Sequence, residues 1–139
     1  MKTTLTATIA IILALAVSAA YQQPQALEAC PEGTDPYVEY RLFFGRSTAD
    51  GTVSDADWDA FLASEVTSRF PEGLTVLDAY GQWQSRLNEL LREHSKIVLI
   101  VAPPGGIAKE HAKSIADAYK SRFDQESVLL VVTDVCAAF

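Results

Sequence analysis

Positive charge is scarce in this sequence. Lysine and arginine together number 11, against 18 aspartate and glutamate residues, which gives a formal net charge of −7. Nucleic acids and anionic membrane surfaces attract proteins with a basic surface, and such an acidic chain lacks one. The composition therefore excludes nucleic acid as an expected partner, and we expect no membrane association once the N-terminal segment is removed.

Histidine and cysteine, the usual ligands of zinc and related metals, are also scarce. His94 and His111 lie far apart in the sequence, and the two cysteines, Cys30 and Cys136, lie near opposite ends of the mature chain. No spacing typical of a metal site connects these four residues. We therefore expect neither a metal ion nor another cofactor.

Recognisable catalytic motifs are missing as well. No G-x-S-x-G motif surrounds a serine, and the Pro-Pro-Gly-Gly loop at residues 103–106 lacks the Lys-Ser/Thr ending that binds nucleotide phosphates. We interpret that loop as a plain connection into a helix. His94 is expected in an exposed loop and His111 at the surface or boundary of a helix. The sequence leaves open whether the protein is an enzyme.

Residues 1–20 are typical of a secretory signal peptide. Lys2 provides a short positive region, residues 5–17 form an uncharged apolar run, and Ala19 and Ala20 suit cleavage by signal peptidase. The apolar run is too short to span a bilayer comfortably. We expect the mature protein to be extracytoplasmic, either periplasmic or secreted. The alternatives are an uncleaved membrane anchor and lipid attachment at Cys30.

The mature chain is long enough for one domain with a single core. Residues 21–36 are rich in Gln, Pro, Glu, Gly and Asp and predict an irregular leader, and the domain itself is expected at residues 37–139. Its apolar periodicity predicts strands at 38–44, 74–83, 96–101 and 128–133, and helices at 54–70 and 108–123. Leu87, Leu90 and Leu91 recur at helical spacing, so residues 84–93 predict a short helical connector.

The order β-α-β-β-α-β predicts an α+β domain of the ferredoxin-like split βαβ kind. This fold has an antiparallel four-stranded sheet of order 4-1-3-2 with two helices on one face. The start of the first strand then lies beside the end of the last, which brings Cys30 and Cys136 together. Because an exported protein meets an oxidising compartment, we predict a disulfide between them.

Several short segments carry a family resemblance. They are YRLFFGRS at 40–47, RFPEGLTVLD at 69–78, GQW at 81–83, SK at 95–96, YKSRF at 119–123 with Gln125, SV at 127–128, and the last residues from Cys136 to Phe139. Together they resemble the domain-of-unknown-function 3574 family of small exported bacterial proteins, over nearly the whole mature chain. The resemblance implies no reaction. The connector at 84–93 and the loop at 103–106 depart from the family's pattern.

The third and fourth predicted strands are apolar on both faces, although helices cover only one face of a split βαβ sheet. We expect a second subunit to cover the other face, which gives a homodimer with a cavity between sheets or between sheet and helices. The alternative is that the leader at residues 21–36 lies over that face.

A small set of polar and aromatic residues stands against this apolar background. The candidate ligand-binding residues are Arg41, Arg46, Tyr80, Gln82, Trp83 and Lys96. Cations beside an aromatic wall can hold a small anionic or aromatic ligand. The alternative is structural: Arg41 pairs with Glu39 or Asp78, Arg46 and Lys96 are solvated, and Trp83 belongs to the core.

Two functions follow from this set. The first is a homodimeric module that binds a small ligand or another protein without catalysis. The second is a cofactor-free enzyme of the dimeric α+β barrel type, an oxygenase, isomerase or lyase, in which Arg41 and Trp83 position the substrate. Asp78 and His94 are then the candidates for proton transfer.

Overall fold

The computed structural model describes residues 29–84 and 88–139. The predicted signal peptide and the leader as far as residue 28 lie outside the described residues. Within the described part of the chain, no helix is long and apolar enough to cross a membrane.

The domain combines strands and helices as the periodicity predicts. The elements are β1 (Asp35–Gly45), β2 (Ser47–Thr48), β3 (Gly51–Thr52), α1 (Asp55–Phe61) with a π-helical continuation (Leu62–Thr67), β4 (Thr75–Gln84), β5 (Leu90–Ala102), α2 (Gly106–Phe123) and β6 (Leu129–Ala137). The prediction of an α+β domain with a four-stranded antiparallel sheet and two helices is confirmed.

The four long strands form one sheet in the order β4-β5-β1-β6, and all neighbours are antiparallel. Counted along the chain without the two short strands, and starting at the β6 edge, the order is fourth, first, third, second. The start of β1 therefore lies beside the end of β6, where Pro36 pairs with Cys136.

The predicted helical connector at 84–93 is wrong. Gln84 belongs to β4 and Leu90 to β5, and these two residues pair directly, so the hairpin continues through most of the segment. Residues 85–87 lie outside the described residues, and Asn88 has a left-handed φ of 62° that suits a turn. Leu90 and Leu91 fit helical spacing equally well, but they project from opposite faces of the ribbon. The third long strand thus begins at Leu90, well before Lys96.

Helices cover one face of the sheet. Along β1, side chains that are buried against the helices alternate with side chains that belong to the other face. The buried side chains of β1 are Val38, Tyr40, Leu42 and Phe44, and they pack against Trp58, Phe61, Ile115 and Tyr119 of the two helices. The ring of Tyr119 contacts the rings of Phe44 and Phe61 edge-on, with centroids 4.7 Å and 5.0 Å apart. Such perpendicular contacts stabilise an aromatic core beyond the burial of area alone.

The first helix begins at a side-chain cap and ends in a wider turn. Ser54 Oγ accepts a hydrogen bond from the Asp57 amide at 3.1 Å, which confirms the predicted helix start. The π-helical continuation brings Phe61 and Val66, five residues apart, onto the same buried face.

The predicted disulfide is present. Cys30 and Cys136 are bonded, with their Cα atoms 5.6 Å apart, well inside the range that a disulfide spans. The bond closes a loop with a sequence separation of 106. A cross-link over so long a loop restricts the unfolded chain strongly.

Replacing Cys30 and Cys136 together by serine is expected to lower the free energy of unfolding by up to about 4–5 kcal/mol, from the lost restriction of the unfolded chain. Urea denaturation followed by circular dichroism measures this change. Wild-type protein under reducing conditions should match the double variant. An unchanged denaturation midpoint would contradict the structural role of the bond.

Because the hydroxyl of Tyr119 is buried, the free energy of unfolding depends on pH in the alkaline range. Its hydroxyl donates to the Gly45 carbonyl at 2.9 Å, and burial raises the pKa of Tyr119 to about 12 from the ordinary 10.0. Between these values the unfolded chain loses the proton while the folded chain keeps it. Stability therefore falls as the pH rises from about 10 to about 12.

We expect Tyr119→Phe to be less stable than wild type at pH 7 by about 1 kcal/mol, because the hydrogen bond to Gly45 is lost. The same variant should lose less stability than wild type between pH 9 and pH 11, a comparison that denaturant titrations at both values provide. Part of the alkaline loss remains, since burial also raises the pKa of Tyr40. An equal loss in both proteins would rule out the assignment to Tyr119.

Candidate functional site

The sheet separates the predicted site residues onto two faces. Residues that pair across antiparallel strands share a face, and alternate residues of a strand share it too. Arg41 pairs with Leu99 and Trp83 pairs with Leu91, and both pairs lie on the sheet surface opposite the helices. We call this surface the open face. Leu91 and Leu99 are eight residues apart along β5, or about 26 Å, so Arg41 and Trp83 cannot meet within one chain.

Apart from Arg46, which follows β1, the other candidates lie on the same side of β4 and β5 as the helices. Asp78 pairs with Lys96, Tyr80 with His94, and Gln82 with Arg92. The two residues of each pair are therefore direct neighbours across the strands. The single cavity expected from Arg41, Tyr80 and Trp83 does not form within a chain, because Tyr80 projects from the opposite face. The six residues stay candidates for ligand binding, but in separate places.

Asp78 is an exposed, ion-paired carboxylate. Its Oδ1 lies 2.5 Å from Lys96 Nζ, and its side chain is 87% exposed. The hydrogen bond and charge of Lys96 lower the pKa of Asp78 from its ordinary value. Asp78 therefore stays ionised at neutral pH outside any closed pocket, which disfavours a role as a proton donor. His94 is exposed on the same ribbon, with its ring 5.3 Å from that of Tyr80.

Replacing Lys96 by methionine should raise the pKa of the Asp78 carboxyl towards its ordinary value, since the bond that favours the charged form is lost. Carbon-detected NMR titration of the aspartate side chains measures the pKa of Asp78. Arg92→Met, four residues away on the same face of β5, provides the control and should leave the pKa of Asp78 unaffected. A pKa of Asp78 that is the same in all three proteins would contradict the assigned cause.

Arg41 and Arg46 each have at least two of their donor nitrogens engaged within the chain. Arg41 Nε donates to Glu39 Oε1 at 3.0 Å, one of the two pairings that the structural alternative predicts. Arg46 is only 13% exposed, and its Nη1 lies 2.8 Å from Asp55 Oδ1. Its Nε donates to the Val53 carbonyl at 2.9 Å, so Arg46 fixes the chain before α1. The structural alternative that had Arg46 and Lys96 solvated is wrong, because their side chains are only 13% and 15% exposed.

Gln82 and Trp83 near the end of β4 differ in their contacts. Gln82 Oε1 accepts a hydrogen bond from Arg92 Nε at 3.0 Å. Trp83 is 44% exposed, so the alternative that placed it in the core is wrong. An exposed indole on a strand is available for contact with another molecule.

A pocket opens at the other end of β5, away from all of these residues. It has a volume of about 410 Å³, and its lining residues are Arg69, Phe70, Glu72, Gly73, Val101, Ala102, Pro103, Pro104, Gly105, Gly106, Ile107, Ala108 and His111. The Pro-Pro-Gly-Gly loop, interpreted above as a plain connection, forms one wall. Arg69 and His111 come from separate elements, and only the folded topology joins them.

The pocket combines apolar walls with a few polar groups. Arg69 Nη1 donates to the Glu65 carbonyl at 2.7 Å and lies 2.8 Å from Glu65 Oε2, which fixes the guanidinium at the rim. The rings of Phe70 and His111 meet edge-on with centroids 5.8 Å apart. Among the described residues, α2 has no side-chain cap and no acidic residue in its first turn. An apolar or aromatic group with a polar or anionic substituent suits these surroundings.

The family resemblance is confirmed. Residues 39–139 match the model of a protein family of unknown function, DUF3574, and the chain belongs to this family. Comparison with curated proteins found no significant match.

Solved structures with a similar fold have little sequence in common with this chain. A phage SAM lyase in complex with S-methyl-5′-thioadenosine is 16% identical, with a TM-score of 0.56 over 82% of this chain and 96% of that one. The apo form of a phage SAM lyase is 14% identical, with a TM-score of 0.55 over 82% of this chain and 97% of that one. CutA from Synechococcus elongatus PCC7942 is 6% identical, with a TM-score of 0.50 over 74% of this chain and 80% of that one. At such identities the likeness concerns the fold.

Proposed function

We propose that this protein is an extracytoplasmic small-ligand-binding module with a ferredoxin-like fold, and that its ligand lies in the pocket between Phe70 and the start of α2. The observation that carries the proposal is the pocket itself. Its volume of about 410 Å³ falls within the range of about 300–1,000 Å³ typical of small-molecule sites. The ferredoxin-like assignment is supported by the order of the four long strands.

The extracytoplasmic location is supported by two independent features. Residues 1–20 have the composition of a signal peptide. The Cys30–Cys136 disulfide is of a kind that persists in oxidising compartments and is rare in the cytosol.

The ligand class follows from the lining of the pocket. Apolar surface from Phe70, Pro103 and Ile107 suits an apolar or aromatic group. The fixed guanidinium of Arg69 and the amides of the first turn of α2 each suit a carboxylate, phosphate or other polar group. Since a similar fold holds S-methyl-5′-thioadenosine, nucleosides and thioethers belong among the compounds to be tested.

Binding is better supported than catalysis. The enzyme hypothesis assigned proton transfer to Asp78 or His94, and neither residue lines the pocket. Asp78 is moreover exposed and paired with Lys96. A general acid or base must reach the reacting group of a bound substrate, which neither residue can do from outside the pocket.

A ligand screen with a matched pair of variants tests the proposal. Ile107 lines the pocket and is 70% exposed, so Ile107→Trp should narrow the pocket without disturbing the core. Lys109→Trp places the same side chain on an exposed position of α2 that does not line the pocket. We expect a nucleoside, aromatic acid or S-methyl-5′-thioadenosine to raise the melting temperature of wild type and of Lys109→Trp, but not of Ile107→Trp.

Isothermal titration calorimetry then measures the affinity for each compound that stabilises the wild type. Arg69→Met should weaken binding of an anionic ligand about tenfold or more, because a charge-assisted bond is lost. If no compound stabilises the wild type, or if both tryptophan variants bind equally well, the pocket is not the ligand site.

A further inference from the structure

The open face is largely apolar across all four long strands. Apolar side chains on it are Phe43 of β1, Leu77 of β4, Ile97, Leu99 and Val101 of β5, and Leu129, Val131 and Val135 of β6. Leu77 and Leu129 are among the exposed large hydrophobic residues. An exposed, mainly apolar surface of this kind marks an interaction site.

The hairpin of β4 and β5 extends this surface beyond the body of the domain. The last residue of β1 that pairs with β5 is Gly45, opposite Ser95. The Arg46 amide still donates to the His94 carbonyl at 3.1 Å, so the part of the ribbon without a third strand, which we call the arm, comprises residues 81–84 and 90–93. On the open-face side it presents Trp83 and Leu91. Isolated two-stranded ribbons are marginally stable in water, so the arm gains stability from a partner.

The charges at the centre of the open face suit a second copy of the same chain. On β1 between Tyr37 and Phe43 they are Glu39 and Arg41, which pair with each other, although the whole chain carries a net charge of −7. Two acidic molecules can thus meet here with little repulsion. Arg41 uses Nε and Nη2 on Glu39 Oε1. Across a two-fold axis Arg41 Nη1 and Glu39 Oε2 can bond reciprocally, as an isologous contact requires.

The leader is too small to replace a second copy. About eight residues, 21–28, precede the described part of the predicted mature chain, and fully extended they reach about 27 Å. One extended segment covers roughly the width of a single strand, about 4.8 Å, whereas the open face spans four strands and continues along the arm. A second sheet packed face to face covers the whole width.

We propose that the open face is the contact surface for a second copy of this chain, and that the arms of the two copies complete the interface. The residues tested for association, Leu77 and Trp83, do not line the pocket at the other end of β5, so association and ligand binding can fail separately.

Sedimentation velocity over about 1–100 µM tests this on protein recovered after export. Wild type should sediment as a homo-oligomer. Leu77→Arg changes an open-face residue that is 45% exposed, and Val132→Arg changes a residue of the opposite face that is 46% exposed. We expect Leu77→Arg to raise the dissociation constant of the homo-oligomer about tenfold or more, and Val132→Arg to leave this constant unchanged.

The arm is tested in the same way. Trp83→Ser removes the indole on the open-face side, and Tyr80→Ser removes the ring on the opposite side of the same strand. Only Trp83→Ser should weaken association. Because both residues are exposed, melting temperatures near the wild-type value show that these variants fold even if Leu77→Arg does not.

Three results would overturn the proposal. One is a wild-type monomer throughout the concentration range. Another is an equal effect of the open-face and opposite-face variants, which would indicate pairing through a sheet edge. The third is a wild-type monomer that associates only when residues 21–28 are deleted, which would identify the leader as the cover.

Discussion

The structure depends on the alternation of side chains along β1. This strand lies between β5 and β6, so its side chains decide what each face of the sheet contains. Tyr40, Leu42 and Phe44 point to the helices and are buried. Arg41 and Phe43, the residues between them, belong to the open face. A shift of one residue in register would exchange these two sets, and the aromatic core would be lost.

The same constraint explains which parts of the fold could be predicted. Alternation from Val38 to Phe44 is visible in the sequence, and so is the cap at Ser54, because both are local patterns. The disulfide followed from the topology, since adjacent first and last strands bring Cys30 and Cys136 together. The arm was missed because Leu90 and Leu91 fit helical spacing and strand alternation equally well, and only pairing with β4 decides between them.

The candidate site was harder to predict for a related reason. Which face a residue occupies depends on the register of its strand, and a sequence does not state the register. Arg41 and Tyr80 were therefore grouped although they lie on opposite faces. The pocket is lined both by Arg69, in the turn after the π-helical segment, and by His111 of α2. The loop at residues 103–106 is its one signal in the sequence, and the loop lacks the residues that make a phosphate motif recognisable.

β5 connects the two regions that carry the proposals. Leu91 lies in the arm, and Val101 and Ala102 line the pocket at the other end of the strand. About ten residues of extended chain separate them, or roughly 33 Å. Val101 belongs to both the open face and the pocket lining, so the two regions meet at the end of β5 although most of their residues differ.

The bond between Cys30 and Cys136 also determines how the domain responds to force. Tension applied at residues 30 and 136 passes through the sulfur atoms and bypasses the hydrogen bonds between β1 and β6. The sheet then carries no load, and the chain enclosed by the bond cannot be pulled out until the covalent link breaks. Mechanical resistance at these two points is thus that of a covalent bond, whatever the thermal stability of the core.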